Sequence, residues 1–134
     1  MDRDGQNGNV SALRRGQALG EALARVGFDW PDARGPRAKV DEELAELDAA
    51  VAVGDAAQAS DELGDLLFAV VNVARHLGVD AETALAGTIE KVEARFAMIE
   101  QRLAQSGRRP SDCSLDELEA AWCEVKARRG AGCA

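Results

Sequence analysis

The sequence predicts an all-α fold, an antiparallel helical bundle, and three observations carry that expectation. Alanine alone supplies 26 of the 134 residues, while aromatics make up 4% and tyrosine is absent. Such a composition favours helix over sheet. Apolar residues recur at helical spacing in segment after segment, and no segment alternates convincingly. The segments are joined by short Gly- and Pro-bearing stretches, which suits antiparallel neighbours.

A first helix is expected from Ser11 to Val26, weakened by Gly16 and Gly20. Gly27-Phe28-Asp29-Trp30-Pro31 then breaks the pattern, and Pro36 suits the first turn of a second helix. That helix carries the apolar stripe Val40, Leu44, Leu47 and Val51 and stops at Gly54-Asp55. The third is apolar almost all round from Leu66 to Ala74, which marks a central, buried helix. The run is too short for a membrane span, and Gly78 sits where a C-terminal cap belongs. Asp80 can cap a fourth helix with the stripe Leu85, Ile89, Val92, Phe96, Ile99 and Leu103, ended by Gly107 and Pro110. Ser114 and Glu117 form a capping box for a fifth, with Leu118, Trp122 and Val125 on one face.

The length supports a single domain, expected over residues 11–129. A polar, Gly/Asn-rich stretch, 1–10, is expected to be a disordered tail, and the small residues 130–134 a flexible one. The net charge of −8 argues against stable nucleic-acid binding, which needs a basic surface. A phosphate ligand held locally stays open, because a divalent cation can reverse the sign of a small site. Cys113, Cys123 and Cys133 show no CxxC spacing and are expected as free thiols in a reducing cytosol. With no long apolar run and no apolar core in the first residues, a cytoplasmic location and no membrane partner are expected.

The chemistry-bearing segments are Lys39-Val40-Asp41-Glu42-Glu43-Leu44-Ala45-Glu46 and Asp61-Glu62-Leu63-Gly64-Asp65. Glu43 and Glu46 share a helix face, and Glu62 with Asp65 repeats the spacing. The two pairs lie equally far in sequence from Gly54, so a hairpin turning there sets them level. If they also face each other, four carboxylates converge. Lys39, Glu43 and Glu46 run one residue out of step with the apolar stripe and so flank the core. Asn72 shares the face of Glu62, Asp65 and Ala69, and is the only polar residue in the apolar run. An ExxE pair alone is more often a solvated face, and a lone Asn more often a satisfied core amide. Two like charges about 4 Å apart repel by roughly 4 kcal/mol at an effective dielectric near 20. A cluster of four therefore needs a cation or protonation, and all-oxygen ligands suit Mg²⁺ first and Mn²⁺ second. A di-iron centre would want ExxH pairs. The only histidine, His76, would lie roughly 16 Å along the helix from Asp65, so that chemistry fails.

Lys91 and Arg95 are i, i+4 on the fourth helix, and Trp122 and Lys126 are i, i+4 on the fifth. Singly, these read as an ordinary basic surface and a core indole. Together they outline a ligand with several negative charges and a flat ring, which a nucleotide fits.

The two acidic segments, continued by Leu66-Leu67-Phe68, resemble the EExxE…ExxD signature of the MazG-type all-α nucleoside triphosphate pyrophosphohydrolases. The wider context, VGFDWPD, ELGDLLFAVVNVARHLG and EKVEARF, is similar to the C-terminal domain of two-domain members, over about residues 17 to 129. The resemblance implies Mg²⁺-dependent hydrolysis of a nucleoside triphosphate to the monophosphate and pyrophosphate. It implies Glu43, Glu46, Glu62 and Asp65 as metal ligands, with Glu42 supporting them or acting on water. Lys39, Lys91 and Arg95 would contact phosphates, and Trp122 and Lys126 would lie near the base and ribose. Family members are usually homodimers or higher assemblies. Attack by water on the α-phosphorus, with Glu42 or Glu46 as base, is the expected chemistry. Lys91 and Arg95 would stabilise the departing pyrophosphate. The alternatives are a base-specific hydrolase of dUTP or phosphoribosyl-ATP, and a non-catalytic helical interaction module.

Overall fold

The structure, a computed structural model, describes residues 10–127. The expected tails, 1–10 but for its last residue and 130–134, lie outside the described residues. Five α-helices follow in order: α1 (Ala12–Arg25), α2 (Arg34–Ala52), α3 (Ala56–His76), α4 (Ala81–Gln105) and α5 (Leu115–Ala127). A 3₁₀ turn, Pro110–Asp112, precedes α5, and no strand occurs among the described residues. The all-α expectation holds, as do most element boundaries. The chain divides into two compact units, one ending at Ala84 and the other starting at Leu85, inside α4.

Side chains start α1, α4 and α5, and for the last two these are the caps the sequence placed. Ser11 Oγ accepts from the Arg14 N–H at 3.2 Å and Asp80 Oδ2 from the Thr83 N–H at 3.2 Å. Before α5, Ser114 Oγ accepts from the Glu117 N–H at 3.2 Å while Glu117 Oε1 accepts from the Ser114 N–H at 3.3 Å. These bonds satisfy N–H groups that have no partner inside the helix.

In the first unit, α3 packs against both α1 and α2. The α2–α3 turn is tight. Val53 ends α2, Gly54 reverses the chain at φ +72°, a left-handed conformation that a side chain would strain, and Asp55 caps α3 through the Gln58 N–H at 3.0 Å.

Burial departs from the apolar stripes. On α2 the buried residues are Pro36, Glu43 and Ala50, whereas Leu44 and Val51 of the expected stripe are exposed. Glu43 thus lies on the buried line of α2 rather than beside it. The expectation that α3 is buried all round from Leu66 to Ala74 is also corrected: Ala69, Val71 and Asn72 are buried, but Leu67, Phe68 and Val70 are exposed. On α4 the stripe is exposed from Leu85 to Phe96, and only Ile99 of it is buried. Apolar spacing tells which side of a helix avoids water, but not what covers it.

In the second unit Ile99 and Val125 are fully buried. Arg102 pairs with Glu124 at 2.8 Å, and Arg108 with Glu117 at 2.8 Å. Cys113 is a free thiol, as expected. No helix among the described residues is long and apolar enough to cross a membrane.

Candidate functional site

The hairpin brings the two acidic segments level. Carboxylate oxygens of Glu43, Glu62 and Asp65 all lie within 4.8 Å of one another. Glu43 is buried at 5% exposure, Glu62 is half-buried and Asp65 is exposed, so the group grades from the α2–α3 seam into solvent. Glu46, the fourth expected ligand, is exposed but adjoins Glu43 and Glu62 closely enough to perturb both.

The electrostatics show the strain of this crowding. The neighbouring Glu46 carboxylate, burial and the Glu43 carboxylate together push the Glu62 carboxyl up to about 7. For Glu43, burial works upward but is outweighed by Lys39, Glu46 and Glu62 as hydrogen-bond partners, and the net direction is down. One carboxyl thus keeps its charge while its neighbour holds a proton. Lys39 Nζ supplies the compensating charge, 3.2 Å from Glu43 and 3.1 Å from Glu42. Even so, Glu43 Oε2 and Glu62 Oε2 are buried without a hydrogen-bond partner. Orphaned carboxylate oxygens in a set of oxygen donors are what a hard divalent cation would satisfy, so the residues present fit one.

Beside the cluster runs an open cleft of about 280 Å³, lined by Lys39, Glu43, Asp65, Asn72, Phe68 and Trp30 among others. Asn72 is buried at 3% exposure, and its Oδ1 accepts from Arg75. Lys39 and Asn72 therefore stand where the sequence put them, on one wall with the carboxylates. His76 is not among the clustered residues, and its Nε2 lies 3.0 Å from Asp29 Oδ1.

Lys91, Arg95, Trp122 and Lys126 belong to the second unit. Lys91 is exposed, and Trp122 and Lys126 are half-buried. The Arg95 guanidinium lies over the Trp122 ring, 5.6 Å from its centroid, and Arg95 Nε is buried without a hydrogen-bond partner. Arg95 therefore stacks on the indole, a cation–π contact that its i, i+4 pairing with Lys91 did not foretell.

Sequence reasoning missed Trp30 and the charged residues that hold its loop. Asp29 receives Arg75 Nη2 at 2.6 Å and Nη1 at 2.8 Å, and the Arg75 guanidinium, helped by His76 and the Trp30 N–H, holds its carboxyl well below the usual range. The segment Gly27–Pro31 read as a helix breaker and, within VGFDWPD, as part of the family resemblance, with no role given to Trp30 itself.

Comparison with known proteins gives the same direction. Residues 36–98, which span α2, α3 and most of α4, match the MazG nucleotide pyrophosphohydrolase domain. The chain is 42% identical over 120 residues to the nucleoside triphosphate pyrophosphohydrolase of Escherichia coli (strain K12), covering 88% of this chain and 46% of that protein. It is 36% identical over 117 residues to the nucleoside triphosphate pyrophosphohydrolase/pyrophosphatase MazG of Thermotoga maritima, covering 87% of this chain and 45% of that protein. The chain thus spans less than half the length of these relatives.

Proposed function

From the match of residues 36–98 to the MazG nucleotide pyrophosphohydrolase domain, we propose that the chain hydrolyses nucleoside triphosphates to the monophosphate and pyrophosphate with Mg²⁺. One observation carries the reading: three carboxylates from two helices converge within 4.8 Å, and two of their buried oxygens lack a partner. The names of the Escherichia coli and Thermotoga maritima relatives support the reaction class. On this reading residues 11–129 act as one MazG-like domain, and a broad range of NTPs and dNTPs is accepted, as suits clearance of unwanted nucleotides from a cytoplasmic pool.

Glu43, Glu46, Glu62 and Asp65 would hold the metal, with Mn²⁺ as a possible substitute. When bound, the ion supplies charge neutralisation for the triphosphate and for the carboxylates themselves. Lys39, already beside Glu42 and Glu43 on the cleft wall, contacts phosphate oxygens. Glu42 and Glu46 are the candidates to take a proton from water attacking the α-phosphorus. The position of Glu46 against Glu62 favours it, since the Glu42 carboxylate is engaged by Lys39 on the solvent side. Lys91 and Arg95 stabilise charge on the leaving pyrophosphate, Asn72 contacts the nucleoside, and Trp122 and Lys126 serve the base and ribose end.

The active form is a homodimer or an assembly of homodimers. Leu63, Leu67 and Val70, spaced i, i+4, i+7 on α3, and Leu85, Ile89, Val92 and Phe96 on α4 leave apolar faces that a second copy would cover. The test is release of pyrophosphate across a panel of NTPs and dNTPs with and without Mg²⁺. Turnover of one base alone would replace the broad reading by a dUTP- or phosphoribosyl-ATP-type hydrolase. Release from no nucleotide would leave a helical interaction module.

A further inference from the structure

The first unit holds a second polar assembly that neither metal binding nor phosphate contact uses. Arg75, one turn beyond Asn72 on α3, donates from Nε at 3.3 Å and Nη2 at 3.2 Å to Asn72 Oδ1. The same guanidinium donates from Nη1 at 2.8 Å and Nη2 at 2.6 Å to the two carboxylate oxygens of Asp29. The Arg75 and His76 side chains are 11% exposed and that of Asp29 is 19% exposed, so the fork-on-fork pair is half-buried, with the Asp29 backbone at the surface. Ion pairs withdrawn from water are weak devices for stability, and their value lies more often in the geometry they hold.

Two things are held. Because Arg75 occupies Oδ1, the carboxamide of Asn72 is left with its donor end, Nδ2, as the group not engaged by the guanidinium. Asn72 also lines the cleft with Glu43 and Asp65. The second is the loop after α1. Asp29 Oδ1 accepts from the Trp30 N–H at 2.9 Å, and the Trp30 ring lines that same cleft. Trp30 lies so close on α2 that a Cβ built at Gly35 would stand 2.2 Å from its Cδ1. A small pocket of about 50 Å³ between Phe28, Trp30, Phe68, Asn72 and Arg75 continues this end of the site. From Asp65 to Asn72 is about 10 Å along the helix axis. That distance separates the anchored end of a triphosphate from its sugar and base.

We propose that Arg75 is a positioning residue for nucleoside recognition: it holds the Asn72 donor directly, and the Trp30 ring through Asp29, as a wall that meets the sugar and base of the substrate in addition to Trp122 and Lys126. The inference rests on the pyrophosphohydrolase reading and assigns Trp30 a binding role. An aromatic face accepts any base, and an amide donor meets hydroxyl or carbonyl oxygens. The wall therefore distinguishes a nucleotide from a bare polyphosphate, while Glu43 and Asp65 serve both.

Calorimetric titration in Mg²⁺ tests this, using an α,β-methylene nucleoside triphosphate and, separately, inorganic tripolyphosphate. The unaltered protein should bind the nucleotide more tightly than tripolyphosphate. Arg75→Gln should weaken the nucleotide on the order of tenfold, as expected for lost charge-assisted hydrogen bonds, and leave tripolyphosphate unchanged. Asp29→Asn should reproduce the effect, and the double variant should add little to either. Trp30→Leu leaves the ion pair intact, so it serves should an Arg75 variant not fold, and it should lose the same preference. Equal weakening of both ligands, or an unchanged preference in these variants, overturns the inference alone. Binding of neither ligand by the unaltered protein overturns the pyrophosphohydrolase reading and takes this one with it.

Discussion

Two faces of the same helix pair invert the usual order. Where α2 meets α3, the buried line includes Glu43 and Asn72, whereas Leu44, Val51, Leu63, Leu67 and Val70 on other sides of these helices are exposed. Charge withdrawn from water is costly unless it is compensated, and apolar surface left in water is stabilising once covered. The inner face thus calls for a ligand, and the outer face for another protein surface. Both demands are functional, since neither helps the isolated chain to fold.

The largest effect should come from breaking the inner face. Glu43→Gln keeps shape and removes the most buried carboxylate, so pyrophosphate release should fall by at least about a hundredfold. Circular dichroism and the melting temperature should change little, because the variant also relieves repulsion. Activity within a few-fold of the parent would make the cluster a solvated acidic surface.

The next effect is one of pH. Glu62, raised to about 7, binds a proton in the folded metal-free protein that an unfolded chain would release near the ordinary carboxylate range. Its contribution to stability is therefore fully present below that ordinary range and is lost as pH climbs through about 7. A cation must displace that proton, so Mg²⁺ affinity should fall by up to about tenfold per pH unit below 7 and level off above it. Calorimetric titration from pH 5.5 to 8.5 reads the slope, and proton uptake by the buffer provides a second measure. Glu62→Gln should abolish the slope, and should make the metal-free protein less sensitive to rising pH.

Breaking the outer face should change assembly rather than chemistry. Leu67, half exposed in the middle of the α3 stripe, becomes a buried charge in any dimer that uses this face once replaced by Glu. Sedimentation should show Leu67→Glu shifted toward monomer while Mg²⁺ binding to the cluster is retained. An unchanged sedimentation coefficient would mean that another face carries the contact.

The contrast explains what could be read in the sequence. Helices and caps were legible because their signals are local: Asp80 and the Ser114–Glu117 box act within one turn. The carboxylate cluster was legible because a tight turn at Gly54 converts equal sequence distance into equal height. Burial was not, since it depends on which neighbour arrives, and Leu44 and Val51 of the α2 stripe stay exposed. The Asp29–Arg75 link was invisible because its partners are 46 residues apart, although Asn72 and Arg75, three apart on α3, share a helix face. The contact of Arg95 with Trp122 was not legible either, because the two residues lie on different helices, α4 and α5.

The smallest effect separates two glycines of α1 that looked alike in the sequence. Both read as weak points in a helix, yet they face different neighbours. A Cβ at Gly16 would meet only Phe68 and Val71, at 3.7 and 3.9 Å, an ordinary contact. At Gly20 it would stand 2.7 Å from Asn72 Oδ1 and 2.8 Å from Arg75 Nε, inside the polar assembly that α1 roofs. Gly16→Ala should therefore stabilise the protein by up to about 1 kcal/mol through helix propensity. Gly20→Ala gains the same propensity but must displace Asn72 or Arg75, with overpacking costs of about 1–3 kcal/mol, so the net sign reverses. Denaturant midpoints for the pair give the sign directly. If Gly20→Ala were as stabilising as Gly16→Ala, the roof over Asn72 would be loose, and the buried polar face would owe its order to something other than close packing beneath α1.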